Sequence, residues 1–361
     1  MSSRAEERAI ARVAHRAALS SDVAHARIAK VLARHGQHER LGERIVEMLA
    51  EHTRVTLNFH PDRVRRDGLT VAEGLLRDGV YRSQFDTGVT NGSPTAFLGG
   101  ERDRWEERLF GSAYHEGDPR GPTHERPKYG AFNVMSHSDG GSPRFGSCYF
   151  ELSRAMLARC TFTWGDSHEG PEHVGTIGRF EVVLAAWLEA VDTSGCALGI
   201  AEVDVATLIE RLSTAESLRH STGSRAPGRA LDDYIEAQVH GPIDLARDVE
   251  ALVIDPAFDD TETGKHLVAI ATHYRIALRR HAGFVLRPAE VPSDFRGSRM
   301  PALAERISGG SELDAATLGQ AAQSLIREPT KWQDWGTEAE AWQHIKQLWH
   351  VLVRFGRERP A

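Results

Sequence analysis

An α+β fold is the class that this sequence predicts, on three observations. Residues 4 to 52 place Ala, Leu, Ile and Val at mixed three- and four-residue spacing among Arg, Glu and His, an amphipathic helical pattern. Short segments near 54–60, 145–152 and 234–240 alternate apolar with polar residues, as half-buried strands do. Beyond residue 259 the helical period returns. The 361 residues exceed the usual size of one domain. They divide by texture into helices over 1–52, an α+β core over 53–258, and a helical region over 259–361.

The N-terminal pattern breaks near Gly36, so two or three helices are expected there. In the first strand, Val55, Leu57 and Phe59 share one face and Arg54, Thr56, Asn58 and His60 the other. Pro61 ends it, and residues 71–76 form a short helix stopped at Asp78-Gly79. Residues 80–143 read as a long glycine-rich loop, too aromatic for a linker and of the kind that carries function. The second strand puts Cys148, Phe150 and Leu152 opposite Ser147, Tyr149 and Glu151, and leads into a helix at 153–159. Residues 161–164 are extended, 179–191 and 205–212 helical, and 221–228 a loop. The third strand, ended by Gly241-Pro242, faces Glu236, Gln238 and His240 one way and Ile235, Ala237 and Val239 the other. A partner strand for it is expected at 249–254, and helices follow near 266–281, 315–326 and 338–355.

Composition narrows the function classes. No apolar run approaches the roughly 20 residues of a membrane span, so no membrane role is expected. The N-terminus has charges where a secretory signal has a continuous apolar stretch, which makes the cytoplasm the expected compartment. A net charge of −7 argues against general coating of nucleic acid. Arg63, Arg65 and Arg66, and Arg275, Arg279, Arg280 and His281, form local basic patches read as solvated faces. Cys148, Cys160 and Cys196 lack CxxC spacing and are read as buried thiols. No GxGxxG after a strand, GxxxxGK[ST] or GxSxG occurs, so dinucleotide-fold, P-loop and serine-hydrolase signatures are missing.

Three strands thus present His60, Tyr149 and Glu236 opposite an apolar face. That order resembles the ADP-ribosyltransferase fold, in the variant with a histidine on the first core strand, a tyrosine on the next and a catalytic glutamate late. The matching stretches are TLNFH followed by AEGLLRDG, then GSCYFELSRAMLARC, then YIEAQVHGPIDLARDVEALVID. The segments NFHPDR, QF-TG--NG, RPKYG and RFGSCYF, within about 54–256, are also similar to those of an uncharacterised, mostly actinobacterial protein family. The first resemblance implies a split, mostly antiparallel sheet and transfer of ADP-ribose from NAD to a macromolecular acceptor, protein or nucleic acid, as a toxin, effector or defence enzyme. It implies that Glu236 stabilises an oxocarbenium-like ribose, that His60 holds the adenosine-side ribose, and that Tyr149 stacks on the nicotinamide. Gln238 would orient the carboxylate or the acceptor, and Ser83, Gln84, Thr87, Thr90 and Asn91 would line the NAD site from their loop. Where such transferases have glycine after the histidine, this chain has Pro61, which has no N–H to offer the carboxamide.

Three other readings stand beside this one. The same site without an acceptor is an NAD glycohydrolase. His60 and Asp62, with His52, His115, His124 or His137, suit a metal-dependent hydrolase. A non-catalytic binding protein on the same fold is the third.

Overall fold

The computed structural model describes residues 4–89, 96–115, 125–196, 198–212 and 231–359. Its centre is one sheet of eight strands: β1 (Val55–Phe59), β3 (Lys128–Phe132), β4 (Cys148–Leu152), β5 (Cys160–Trp164), β6 (Val174–Thr176), β7 (Ile235–Val239), β9 (Val249–Ile254) and β10 (Ala277–Arg280). Their spatial order is β10-β9-β4-β1-β3-β7-β5-β6, and a two-stranded sheet pairs β2 (Val80–Tyr81) with β8 (Ile243–Asp244). Every pair is antiparallel except β9 with β10. The molecule is therefore α+β with a large, mostly antiparallel sheet.

The apolar face follows the alternation: Leu57, Phe150, Val239 and Ala237 are fully buried in the main core with Trp187 of the helix Glu181–Ser194. That helix is buried nearly all round because Ser21–Arg34 and Leu41–His52 pack over it. The N-terminal region is thus three helices, the first being Arg4–Leu19. The polar face is not wet. Thr56 and Asn58 are at most 5% exposed because residues 133–146 cross over β1, and Gln238 and Thr161 are fully buried as well. Asn58 Nδ2 donates to the carbonyls of Asp139 and Gly146, and Gly141 N donates to Thr56 Oγ1.

Several sequence expectations need correction. Residues 80–143 contain the helix Glu101–Phe110 and the central strand β3. The strand at 249–254 is not the partner of β7: it pairs with β4 and β10, while β7 lies between β3 and β5. Residues 277–280 continue the sheet as β10, the segment after Ser153 is a 3-10 helix, and Cys196 is exposed. The loop at 221–228 lies outside the described residues. The basic patches are not solvated faces throughout, since Arg63 is buried, Arg65 pairs with Asp67 and Asp78, and Arg279 and Arg280 pair with Glu151 and Asp259. Among the described residues no helix is long and apolar enough to cross a membrane.

Candidate active site

β1 and β3 share only two ladder pairs, Val55 with Phe132 and Thr56 with Ala131, whereas β3 and β7 share four and β5 and β7 five. Past those two pairs the ladder stops, and a cavity of about 390 Å³ opens over the strand ends. Asn58 and His60 reach it from β1 and its exit, Lys128 and Tyr129 from β3, and Glu236 from β7. Ser83, Gln84 and Thr87 line it from the other side. Ser83 also caps the short helix Gln84–Thr87, accepting from Asp86 N, and Gly88 closes that turn at φ 67°. Thr90 and Asn91 lie outside the described residues.

Tyr149 is not in this cavity. It shares the polar face with Glu236, but β4 stands three strands from β7, roughly 14 Å at the usual spacing. Its hydroxyl donates to the Ser138 carbonyl at 3.0 Å, and it lines a separate polar cavity with Thr56, Glu151 and Glu250. The tyrosine on the core strand next in sequence to β1 is Tyr129. β3 escapes sequence reading because Lys128-Tyr-Gly-Ala-Phe132 does not alternate polar with apolar residues and Gly130 interrupts it. A Cβ at Gly130 would sit 2.3 Å from the Thr56 carbonyl oxygen, so only glycine lets the two strands meet.

Glu236 is 3% exposed, and burial followed by the nearby Asp166 carboxylate pushes its carboxyl up to about 8. Gln238 Nε2 donates to Glu236 Oε1 at 2.8 Å and to Thr163 Oγ1 at 3.3 Å. Gln238 is itself fully buried behind the carboxylate. Tyr129 OH donates to Glu106 Oε1 at 2.8 Å, and the Arg102 guanidinium lies 4.5 Å from the Tyr129 ring centroid and 4.6 Å from that of Trp105. The His60 ring meets Trp349 edge to face at 5.0 Å, and burial holds it well below the ordinary histidine range, hence neutral.

The cavity walls are cationic. Among the described residues, seven Arg or Lys side chains line it against three carboxylates, and of the seven Arg65, Arg82 and Arg144 are also paired with Asp67, Asp78 or Asp232 outside it. Arg63 is 7% exposed, and its Nη1 has no hydrogen-bond partner. Arg144 enters on the turn Pro143–Phe145, which is held by Gly146 at φ 153° against the Phe59 and His60 backbone. Lys346 comes from the helix Glu338–Phe355, and burial, then Arg144 and Arg296, lower it. Sequence reading missed this wall because its members lie up to 283 positions apart.

Two further results bear on the alternatives. The Pro61 carbonyl accepts from Ala72 N at 2.8 Å, and the residue has no N–H to donate to a ligand. Asp62 turns away from the cavity, its Oδ2 lying where a Cβ of Gly319 would stand, 1.3 Å off. Among the described residues no three His, Cys, Asp or Glu side chains group as a metal site requires; His124 is outside them.

Compared with the curated proteins, the chain finds no match. Residues 54–355 match the model of a protein family described as Protein of unknown function (DUF3626), so the match runs through the sheet, the cavity and the C-terminal helices that supply Lys346 and Trp349. The chain belongs to that family.

Proposed function

We propose that the chain cleaves the glycosidic bond between nicotinamide and ribose in NAD and transfers ADP-ribose to a macromolecular acceptor. The observation that carries this reading is the convergence of His60, Tyr129 and Glu236, from three core strands, on one cationic cavity. Tyr129 takes the place that the sequence assigns to Tyr149. Its ring already holds the planar cation of Arg102, and the same electrostatics suit a planar, positively charged nicotinamide. The cationic wall suits the diphosphate.

When the glycosidic bond breaks, its electron pair leaves with nicotinamide, which becomes neutral, and positive charge develops on the ribose. An ionised Glu236 beside it stabilises that charge more than the ground state. The acceptor's nucleophile then bonds to the ribose carbon and loses its proton. Burial disfavours ionised Glu236 in the free protein, and the cationic ring of bound NAD opposes that effect. Pro61 has no N–H for the carboxamide oxygen, so a side chain must donate to it.

The test is nicotinamide release from NAD by the pure protein. Glu236→Gln is expected to lower turnover by about 10²–10³ with binding largely kept. Tyr129→Ala should weaken NAD binding, and Tyr149→Phe should change neither. Release with no acceptor present would favour the glycohydrolase. Release undiminished in Glu236→Gln would remove the residue from the chemistry, and no NAD binding by the wild type would remove the class.

A further inference from the structure

Behind Glu236 runs a chain of buried polar groups. Tyr114 OH lies 2.5 Å from His240 Nδ1, His240 Nε2 lies 3.0 Å from Thr161 Oγ1, and Thr161 Oγ1 lies 2.7 Å from Gln238 Oε1. Gln238 Nε2 then meets Glu236 Oε1 at 2.8 Å. His240, Thr161 and Gln238 are fully buried and Tyr114 is 9% exposed, so water does not complete their bonding.

With the Gln238 amide oxygen set on Thr161, the inventory of donors fixes the direction of every link. A threonine hydroxyl has one proton, and that of Thr161 goes to Gln238 Oε1, so Thr161 must accept from His240 Nε2–H. His240 is neutral, its imidazole held down to about 3 by burial, then by Lys128 and Arg159. Its single proton is therefore on Nε2, and Nδ1 accepts from the Tyr114 phenol. At the other end Thr163 gives its proton to the Gly165 carbonyl and so accepts from Gln238, which presents only N–H to Glu236.

We propose that Tyr114, His240, Thr161 and Gln238 form a polarised positioning chain that holds the Glu236 carboxylate in place and favours its ionised form. One other polarity can be drawn for the chain. If His240 carries its proton on Nδ1, Thr161 donates to Nε2, Gln238 turns its amide over, and Glu236 must be protonated to donate to the amide oxygen. That arrangement sets the turned amide oxygen against Thr163 Oγ1, whose proton goes to the Gly165 carbonyl, and takes from the Tyr114 phenol its acceptor on Nδ1, so the first polarity is favoured by a few hydrogen bonds without any change of fold. The proposal adds to the transfer reading a reason for Glu236 to ionise in a buried site.

The experiment follows the infrared carbonyl band of protonated Glu236 against pH, assigned by difference from Glu236→Gln, in the full-length protein. The other charged groups acting on Glu236, Asp166 and Arg102, are left in place. Tyr114→Phe and Thr161→Val are expected to raise the midpoint by about half a unit to one unit, the scale of one lost hydrogen bond. Thr161→Ser, which keeps the hydroxyl, should restore it. In nicotinamide release the first two should lower kcat with KM held. A midpoint unmoved in Tyr114→Phe and Thr161→Val, both folded, overturns the proposal whatever the turnover. A midpoint that moves in a protein that never cleaves NAD upholds the chain and overturns the transfer reading instead.

Discussion

Glu236 carries a cost that the rest of the molecule bears. Its carboxyl titrates in the folded chain near 8, above the ordinary glutamate value of 4.5 that the unfolded chain keeps. Between those values the folded state binds more protons than the unfolded state, so this residue's contribution is full below about 4.5 and is lost as pH rises through about 8. Glu236→Gln should therefore unfold at a higher temperature than wild type at pH 8–9, with the gap closing toward pH 4. Calorimetry of the pair checks this, and a gap that widens on acidification would contradict the burial argument. His240 acts in the opposite sense: its folded value near 3 makes its contribution full above the unfolded value of 6.5 and lost as pH falls through about 3.

Among the elements, β3 decides the site. It brings Lys128 and Tyr129 to the cavity and joins β1 to β7. Its seam with β1 depends on Gly130, where a side chain would meet Thr56 O at 2.3 Å and Leu57 Cδ2 at 2.6 Å. Backbone cannot step aside as a flexible side chain can. Gly130→Ala is expected to lower stability by about 1–3 kcal/mol, the range for overpacking, with NAD binding falling further than stability alone explains. Urea unfolding and a binding titration on the same preparation separate the two. The strands with clean alternation, β1, β4 and β7, were legible in the sequence; β3 was not, because Lys128-Tyr-Gly-Ala-Phe132 does not alternate polar with apolar residues and so shows no period of two.

At the scale of the whole molecule, the C-terminal helices are part of the site. Trp349 packs on His60, and Lys346 from the same helix lines the cavity with Arg63 and Arg144. Burial, then Arg144 and Arg296, disfavour the charge on Lys346, and a bound anion relieves that repulsion. ADP-ribose should therefore bind more weakly as salt rises, and Lys346→Gln should cost about tenfold with a shallower salt dependence. Calorimetric titration measures both, and affinity unchanged in Lys346→Gln would remove the diphosphate from that wall.

The sequence by itself determined the α+β class, the faces of the alternating strands, and the places of His60, Glu236 and Gln238, because period-two geometry and turn chemistry are local. Tertiary structure alone decided which tyrosine joins them. Tyr149 had the cleaner strand, yet β4 lies on the far side of β1, and residues 133–146 cross between. The same holds for the cationic wall and for the chain from Tyr114 to Glu236: pairing order and long-range packing assemble them, and spacing along a chain says nothing of which strands become neighbours.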